Sequence, residues 1–266
     1  MRFDPQEYEK AIRTMKNEMT MYESALQIFR EDVKEKTGMN ISGDGGLRLL
    51  QIKIGQDRQI SIMDSCYGPA TFIDYIYRQC LLNSFRFDIT CIDNNEEHIT
   101  YAESRYRHRS WEFYHADATT IDLYKKFDYI LASSAYHHIE DKSKQTYLIN
   151  LRTHLKDDGK IIMCENFLPN YTAATTKTKQ TAINQYYHTL REYYRDTNTP
   201  IETIRMIELV WHLELKAEDE HKVNFKRFKK DIKKSGLEII IDKPIWQPDS
   251  FNQSNAGSHV ILLKKK

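Results

Sequence analysis

The chain has no apolar run long enough to span a bilayer, no paired C-x-x-C spacing and no excess of either charge. Each absence removes a class of function. Without a segment of about 20 apolar residues no membrane-crossing helix is expected. The opening MRFDPQEYEK also lacks the hydrophobic core of a signal peptide, so the reading is a cytoplasmic protein with no membrane partner. Four cysteines, Cys66, Cys80, Cys91 and Cys164, show no paired spacing that favours a disulfide framework or a zinc site. Three of them fall in or beside strand-like apolar runs, where buried reduced thiols belong. With 39 basic against 38 acidic residues, a general polyanion binder is excluded and no nucleic-acid partner is expected. No internal repeat or low-complexity segment is evident.

What is present fits one sizeable α/β domain carrying an insertion. Residues 5–38 read as helix, with Tyr8, Ile12, Met15, Met19, Tyr22, Leu26 and Phe29 recurring every three or four positions. After a short helix or extended segment, GLRLLQIKIGQ, a rhythm begins. The apolar runs QISIMDS, RFDITCID, WEFYHAD, FDYILASS and GKIIMCEN alternate with amphipathic segments. That alternation predicts βαβ units and a parallel sheet covered by helices on both faces. LEIIIDKPIW and SHVILLKKK supply two closing strands, expected as an antiparallel edge. The fold expected is therefore a doubly wound, mostly parallel seven-stranded sheet, with N-terminal helices and a helical lid inserted after the fifth strand. Its units are a cap over 1–57, an α/β core over 58–168, a lid over 169–235 and closing strands over 236–266.

Glycine is scarce where such a sheet usually needs it. In ISIMDSCYGPATFIDYIY, residues 60–77, the turn after the first strand contains only Gly68. A dinucleotide site would require G-x-G-x-x-G, so that the backbone can approach a pyrophosphate at the helix N-terminus. Here those positions hold Cys66, Gly68 and Thr71, and Asp64 would repel the phosphates. A cationic, phosphate-free adenosine compound turns the same carboxylate into an asset. The second strand ends in Asp93, placed to accept hydrogen bonds from two ribose hydroxyls. The third leads to Asp117 and Ala118, a carboxylate and a backbone donor for an adenine.

This succession resembles the class I S-adenosylmethionine (SAM)-dependent methyltransferase family. The family's first motif, E/D-x-G-x-G-x-G, is matched by Asp64-Ser65-Cys66-Tyr67-Gly68-Pro69-Ala70. Asp93 matches its ribose-binding acid and Asp117 its adenine-binding acid. FDYILASSAYHHIED resembles the fourth-strand motif, and LRTHLKDDGKIIMCEN the fifth-strand region. The resemblance covers about residues 58–168. It implies SAM as cofactor, held by Asp64, Ser65, Cys66, Tyr67, Gly68, Asp93, Asn94, Asp117, Ala118, Ser133 and Ser134. Cys66 and Ala70 replace two loop glycines, so the backbone there is expected in conformations open to residues with side chains.

Methyl transfer from a sulfonium requires alignment, exclusion of water and, for a hydroxyl or protonated amine, removal of a proton. In the resembled family the methyl projects past the fourth strand, here SSAYHHIED. His137, His138, Glu165 and His188 are the candidate catalytic residues, with no single one singled out as general base. Tyr136, Tyr187, Glu208, Trp211 and His212 are the candidate acceptor contacts; the last three share a helix face by spacing. Adjacent histidines diverge on a helix and no acid stands nearby at ligand spacing, so no metal is expected. The function expected is methyl transfer to an oxygen or nitrogen of a small molecule or peptide, a carboxylate included, in the manner of natural product biosynthesis. The protein is expected as a monomer or homodimer. The alternative is a SAM-binding protein without transfer: a sensor, a scaffold or a non-redox cyclase. SSAY in place of NPPY or DPPY argues against nucleic-acid methylation.

Overall fold

The computed structural model describes residues 4–38, 58–80, 85–172, 176–197, 199–251 and 254–266. The segment GLRLLQIKIGQ lies outside them. Helix α1 (Pro5–Thr14) is capped by the Asp4 carboxylate, which accepts the N–H groups of Gln6 and Glu7. The single helix expected over 5–38 is in fact two. Met15 is extended (φ −83°, ψ 103°), and the Thr14 hydroxyl turns back to the Ala11 carbonyl, competing with the helical ladder. Helix α2 (Lys16–Thr37) then runs to Gly38, whose left-handed φ of 70° closes it.

The remaining elements are β1 (Arg58–Ser65), α3 (Thr71–Cys80), β2 (Phe85–Asp93), α4 (Glu96–Tyr106), β3 (Glu112–His115) and β4 (Phe127–Ser133). After a single 3-10 turn at Tyr136–His138 come α5 (Lys144–His154), β5 (Leu155–Phe167), α6 (Thr176–Asp196), α7 (Ile201–Lys216), α8 (Phe225–Lys234), β6 (Leu237–Trp246) and β7 (Gly257–Lys265). They form one seven-stranded sheet in the order β3-β2-β1-β4-β5-β7-β6. β7 runs antiparallel to both β5 and β6, and the other pairings are parallel. Pro244 is tolerated because β6 is an edge strand and its register shifts there.

Alternate residues of each strand sort onto two cores, as a sheet covered on both faces requires. Ile62, Cys91, Leu131, Ile162 and Leu262 face a layer built from α2, α3, α4, α6 and α7. Met63, Ile92, Ile130, Met163 and Leu263 face α5 and α8. This division corrects the expected lid boundary. Phe225, Phe228 and Ile232 of α8 are buried on the second face, against α5 and β6. Residues of α6 and α7, with α1 and α2, instead line a cavity beside the carboxyl ends of β1, β2 and β4, where an open α/β sheet gathers its ligands.

Candidate functional site

The turn after β1 keeps the backbone of a glycine loop without its glycines. Cys66 (φ 57°), Gly68 (φ 55°) and Ala70 (φ 61°) are all left-handed. The expectation of a relaxed backbone at positions 66 and 70 is therefore overturned. A left-handed L-residue costs about 1–2 kcal/mol, and the chain carries that cost twice within five residues. What holds the loop is β2. The N–H groups of Cys66 and Tyr67 both donate to the Ile92 carbonyl (2.8 and 3.3 Å), and the Gly68 N–H donates to Asp93 Oδ2 (2.8 Å). Asp93 Oδ1 accepts from Asn95 (2.8 Å).

Above this loop lies a cavity of about 370 Å³. Asp64, Cys66, Tyr67, Gly68, Asp93 and Asn94 line one end, with Ser133 and Ser134 beside them. Asp64 is 1 % exposed, and its Oδ2 has no hydrogen-bond partner. Burial first, and repulsion from Asp93 second, push its pKa well above the usual carboxylate value. A buried, partnerless carboxylate oxygen beside a second carboxylate suits a cationic ligand and opposes a pyrophosphate. The residues present thus fit SAM.

Three expected cofactor contacts stand elsewhere. Ser65 is fully buried and its hydroxyl accepts from Tyr147 (3.2 Å), away from the cavity. Ala118 packs into the second core. Asp117 is exposed two residues beyond β3, where its carboxylate accepts the Thr119 N–H (2.7 Å); it does not line the cavity.

The cavity's far wall carries a buried ionic cluster. His137 and His138 both line it. The His137 ring contacts Glu165 through Nδ1, and both Glu165 oxygens accept backbone N–H groups, from Asn166 (2.8 Å) and His137 (3.3 Å). An acceptor so engaged assigns the ring proton to Nδ1 and the lone pair to Nε2. Burial, and then the Lys222 ammonium, hold the His137 pKa well below its usual value, so the ring is neutral. Its Nε2 lies 3.7 Å from Glu220 Oε2. His138 Nδ1 bonds the Asp219 carbonyl (2.8 Å) and lies 3.8 Å from Glu220 Oε1. Lys222 contacts Glu220, approaches Glu214 Oε2 (3.5 Å), and sits over the Tyr187 ring (5.5 Å). Burial opposes the charge on Glu220, yet the Lys222 ammonium above all brings its pKa down to about 2.

The expectation that no acid stands near the histidines is corrected here: Glu220, some eighty residues on, faces both rings. His137, His138 and Glu220 are a group whose ligand atoms all lie within 4.8 Å of one another.

Other candidates are redistributed. Glu165 does not line the cavity but braces His137 from behind. Tyr136 is turned to the opposite side of the sheet, where its hydroxyl donates to Asp231 (2.9 Å). His188 is exposed on α6. Tyr187 is buried in the cavity wall. The face of α7 expected to meet the acceptor points outward: Glu208 pairs with Arg191 (3.7 Å) and Arg195 (3.8 Å), His212 is exposed, and Trp211 donates to Asn184 (2.9 Å) while stacking on Tyr187. Met206, Ile207, Val210 and Leu213 line the cavity instead.

Sequence reasoning missed the contribution of α2 and of the loop after α7. Glu18 is 4 % exposed; its Oε1 accepts from Asn166 (3.0 Å) and its Oε2 has no partner. Burial pushes its pKa up to about 7. Asn166, Ser258 and Asn17 extend this bond into a network tying α2 to β5 and β7. The signal for Glu18 was a carboxylate on the Tyr8–Tyr22 face of an apolar helix. EDEHK, residues 218–222, supplied no candidate.

Residues 62–159 match a family model described as a methyltransferase domain. No curated protein matches the chain in sequence. Among solved structures, the mitomycin 7-O-methyltransferase MmcR is 14% identical, with a TM-score of 0.51 over 78% of this chain and 49% of its own. PKMT2 from Rickettsia typhi gives 14% and 0.52, with 78% and 49% covered. A SAM-dependent methyltransferase from Clostridium acetobutylicum ATCC 824 gives 11% and 0.51, with 88% and 95% covered. At these identities the likeness is one of fold. The chain spans about half the length of MmcR and PKMT2.

Proposed function

We propose that residues 62–159, which match a methyltransferase-domain model, are of the class I, SAM-dependent kind and that the protein transfers a methyl group to an oxygen or nitrogen of a small molecule. The observation that carries this is the cavity's two-ended construction. A loop-and-carboxylate end suited to a cationic cofactor opens directly onto a wall holding a braced, neutral imidazole. SAM supplies an electrophilic methyl when bound. Asp93 holds the loop and faces the ribose side, and Asp64 balances positive charge. Apolar side chains of α1, α2, α6 and α7 exclude water, so that electrostatic contacts inside are strong.

His137 is the basic group that activates the acceptor, and Glu165 is its positioning residue. The Nδ1 proton is committed to Glu165, which leaves Nε2 as the Lewis base on the cavity side. Lys222 and Tyr187 stand where an acceptor's polar edge and ring would lie. The whole cavity, cofactor end included, holds about 370 Å³, at the lower end of small-ligand sites, which favours a small acceptor over a peptide.

The binding-only alternative rested on the lost loop glycines. Cys66 and Ala70 retain the left-handed backbone, so that argument loses its force. The test is incubation with labelled SAM and fractionated small-molecule extracts. Methylated product together with S-adenosylhomocysteine supports transfer. SAM binding with no turnover in any fraction supports the alternative.

A further inference from the structure

We propose that His137, His138 and Glu220 form a binding site for one divalent transition-metal ion, of the zinc or ferrous class, at the polar end of the cavity. Two imidazoles and one carboxylate are a donor set that such ions take while keeping positions open for other ligands. Around a tetrahedral ion with bonds of about 2.0–2.1 Å, donor atoms stand roughly 3.3–3.4 Å apart. Here Glu220 presents one oxygen 3.7 Å from His137 Nε2 and the other against the His138 ring, whose Nδ1 donates to the Asp219 carbonyl and leaves Nε2 as its ligand atom. Contraction by a few tenths of an ångström at His137, with a turn of the exposed His138 ring, gathers the three donors about an ion.

The surroundings are those of a ligand set and not of a chance cluster. Glu165 behind His137 completes a carboxylate–histidine pair of the kind that orients a metal-binding imidazole. Backbone strain delivers the third ligand. Ala217 (φ 54°) and Asp219 (φ 61°) are both left-handed, and the His221 N–H donates to the His137 carbonyl (2.7 Å), fixing the loop against the histidines. Strained non-glycine residues persist where the surrounding structure over-determines them, and they cluster at functional sites. Lys222 competes for Glu220, but Glu214 lies 3.5 Å from its ammonium. Glu220 can therefore turn to an ion while Lys222 keeps a partner. His138, with 41% of its side chain exposed, gives the ion a route from solvent. With the ion bound, the His137 Nε2 lone pair is committed to it, and the ion in place of the free imidazole would activate the acceptor: a hydroxyl, thiol or amine bound at the open positions facing the cavity loses its proton more readily.

The site is read by metal binding, which succeeds or fails independently of methyl transfer. Full-length protein treated with a chelator would be titrated with Co²⁺, followed by visible absorption and by Zn²⁺ displacement, with SAM calorimetry on the same samples to verify folding. The expected result is d–d absorption saturating at one ion per chain and abolished by Zn²⁺. His138→Ala and Glu220→Gln lose it while still binding SAM, Glu165→Gln weakens it by about 10–100-fold, and His221→Ala leaves it unchanged. SAM-competent wild-type protein without these bands, or bands that survive both ligand substitutions, would overturn the proposal.

Discussion

The His137 ring lies between two carboxylates, with Nδ1 against Glu165 and Nε2 3.7 Å from Glu220 Oε2. One fixes the tautomer, and the other marks where the free lone pair is aimed. Glu165→Gln should therefore lower kcat by two orders of magnitude or so, in the range of positioned acid–base groups, while leaving SAM affinity within a factor of two or three. Glu165→Asp, retaining a shorter acceptor, should recover part of the rate. Equal losses in all variants, with a matching loss of SAM binding, would mean that Glu165 only supports the fold.

The glycine-poor loop makes a backbone prediction. A Cβ on Gly68 would meet nothing closer than His98 Nδ1 at 3.7 Å, an ordinary contact. Gly68→Ala should thus cost only the left-handed strain, about 1–2 kcal/mol, read as a lower midpoint in chemical denaturation. Its cofactor affinity should fall little, since Cys66 and Ala70 already hold such a backbone.

Burial of Glu18 has a sign in the pH dependence of stability. Its folded pKa of about 7 stands above the ordinary carboxylate value, so the folded state binds the proton more tightly than the unfolded chain. This contribution is fully present below about pH 4.3 and is lost as pH rises to about 7. Glu18→Gln should flatten that slope and leave the variant relatively more stable at pH 8, by an order of 1–3 kcal/mol. Parallel wild-type and variant curves from pH 4 to 8 would show that Glu18 does not titrate there.

The two faces of α7 separate packing from recognition. Val210→Trp would fill the cavity from its apolar side, and should raise the acceptor KM at least tenfold with SAM affinity unchanged. Glu208→Gln and His212→Ala, on the outer face, should leave both within a factor of two. Steady-state kinetics with each variant reads the difference; the reverse pattern would place the acceptor outside the cavity.

The sheet was legible because its strands are short apolar runs whose alternate residues serve two cores, a signal local to each strand. Asp64 and Asp93 were legible for a related reason, since a strand's end fixes where its last side chain stands. The lid was harder. Glu208, Trp211 and His212 share a helical face by spacing, but spacing does not say which face is covered. Four apolar neighbours, Met206, Ile207, Val210 and Leu213, took the cavity instead. Glu220 and Lys222 were hidden because their meaning depends on a long-range contact with His137. A run of alternating charges looks solvated until tertiary structure removes the water. Asp117 was read from motif order alone, and a sheet-edge position left it exposed.

Calorimetric titration of SAM into Asp93→Ala tests the central claim most directly, with Asp93→Asn as a companion that retains one acceptor for the Gly68 or Asn95 N–H. The account predicts that Asp93→Ala weakens binding by about 1.5–3 kcal/mol for each charge-assisted bond lost, tenfold or more, and that Asp93→Asn falls between it and wild type. An unchanged Kd in folded Asp93→Ala protein would contradict the placement of the cofactor at this loop.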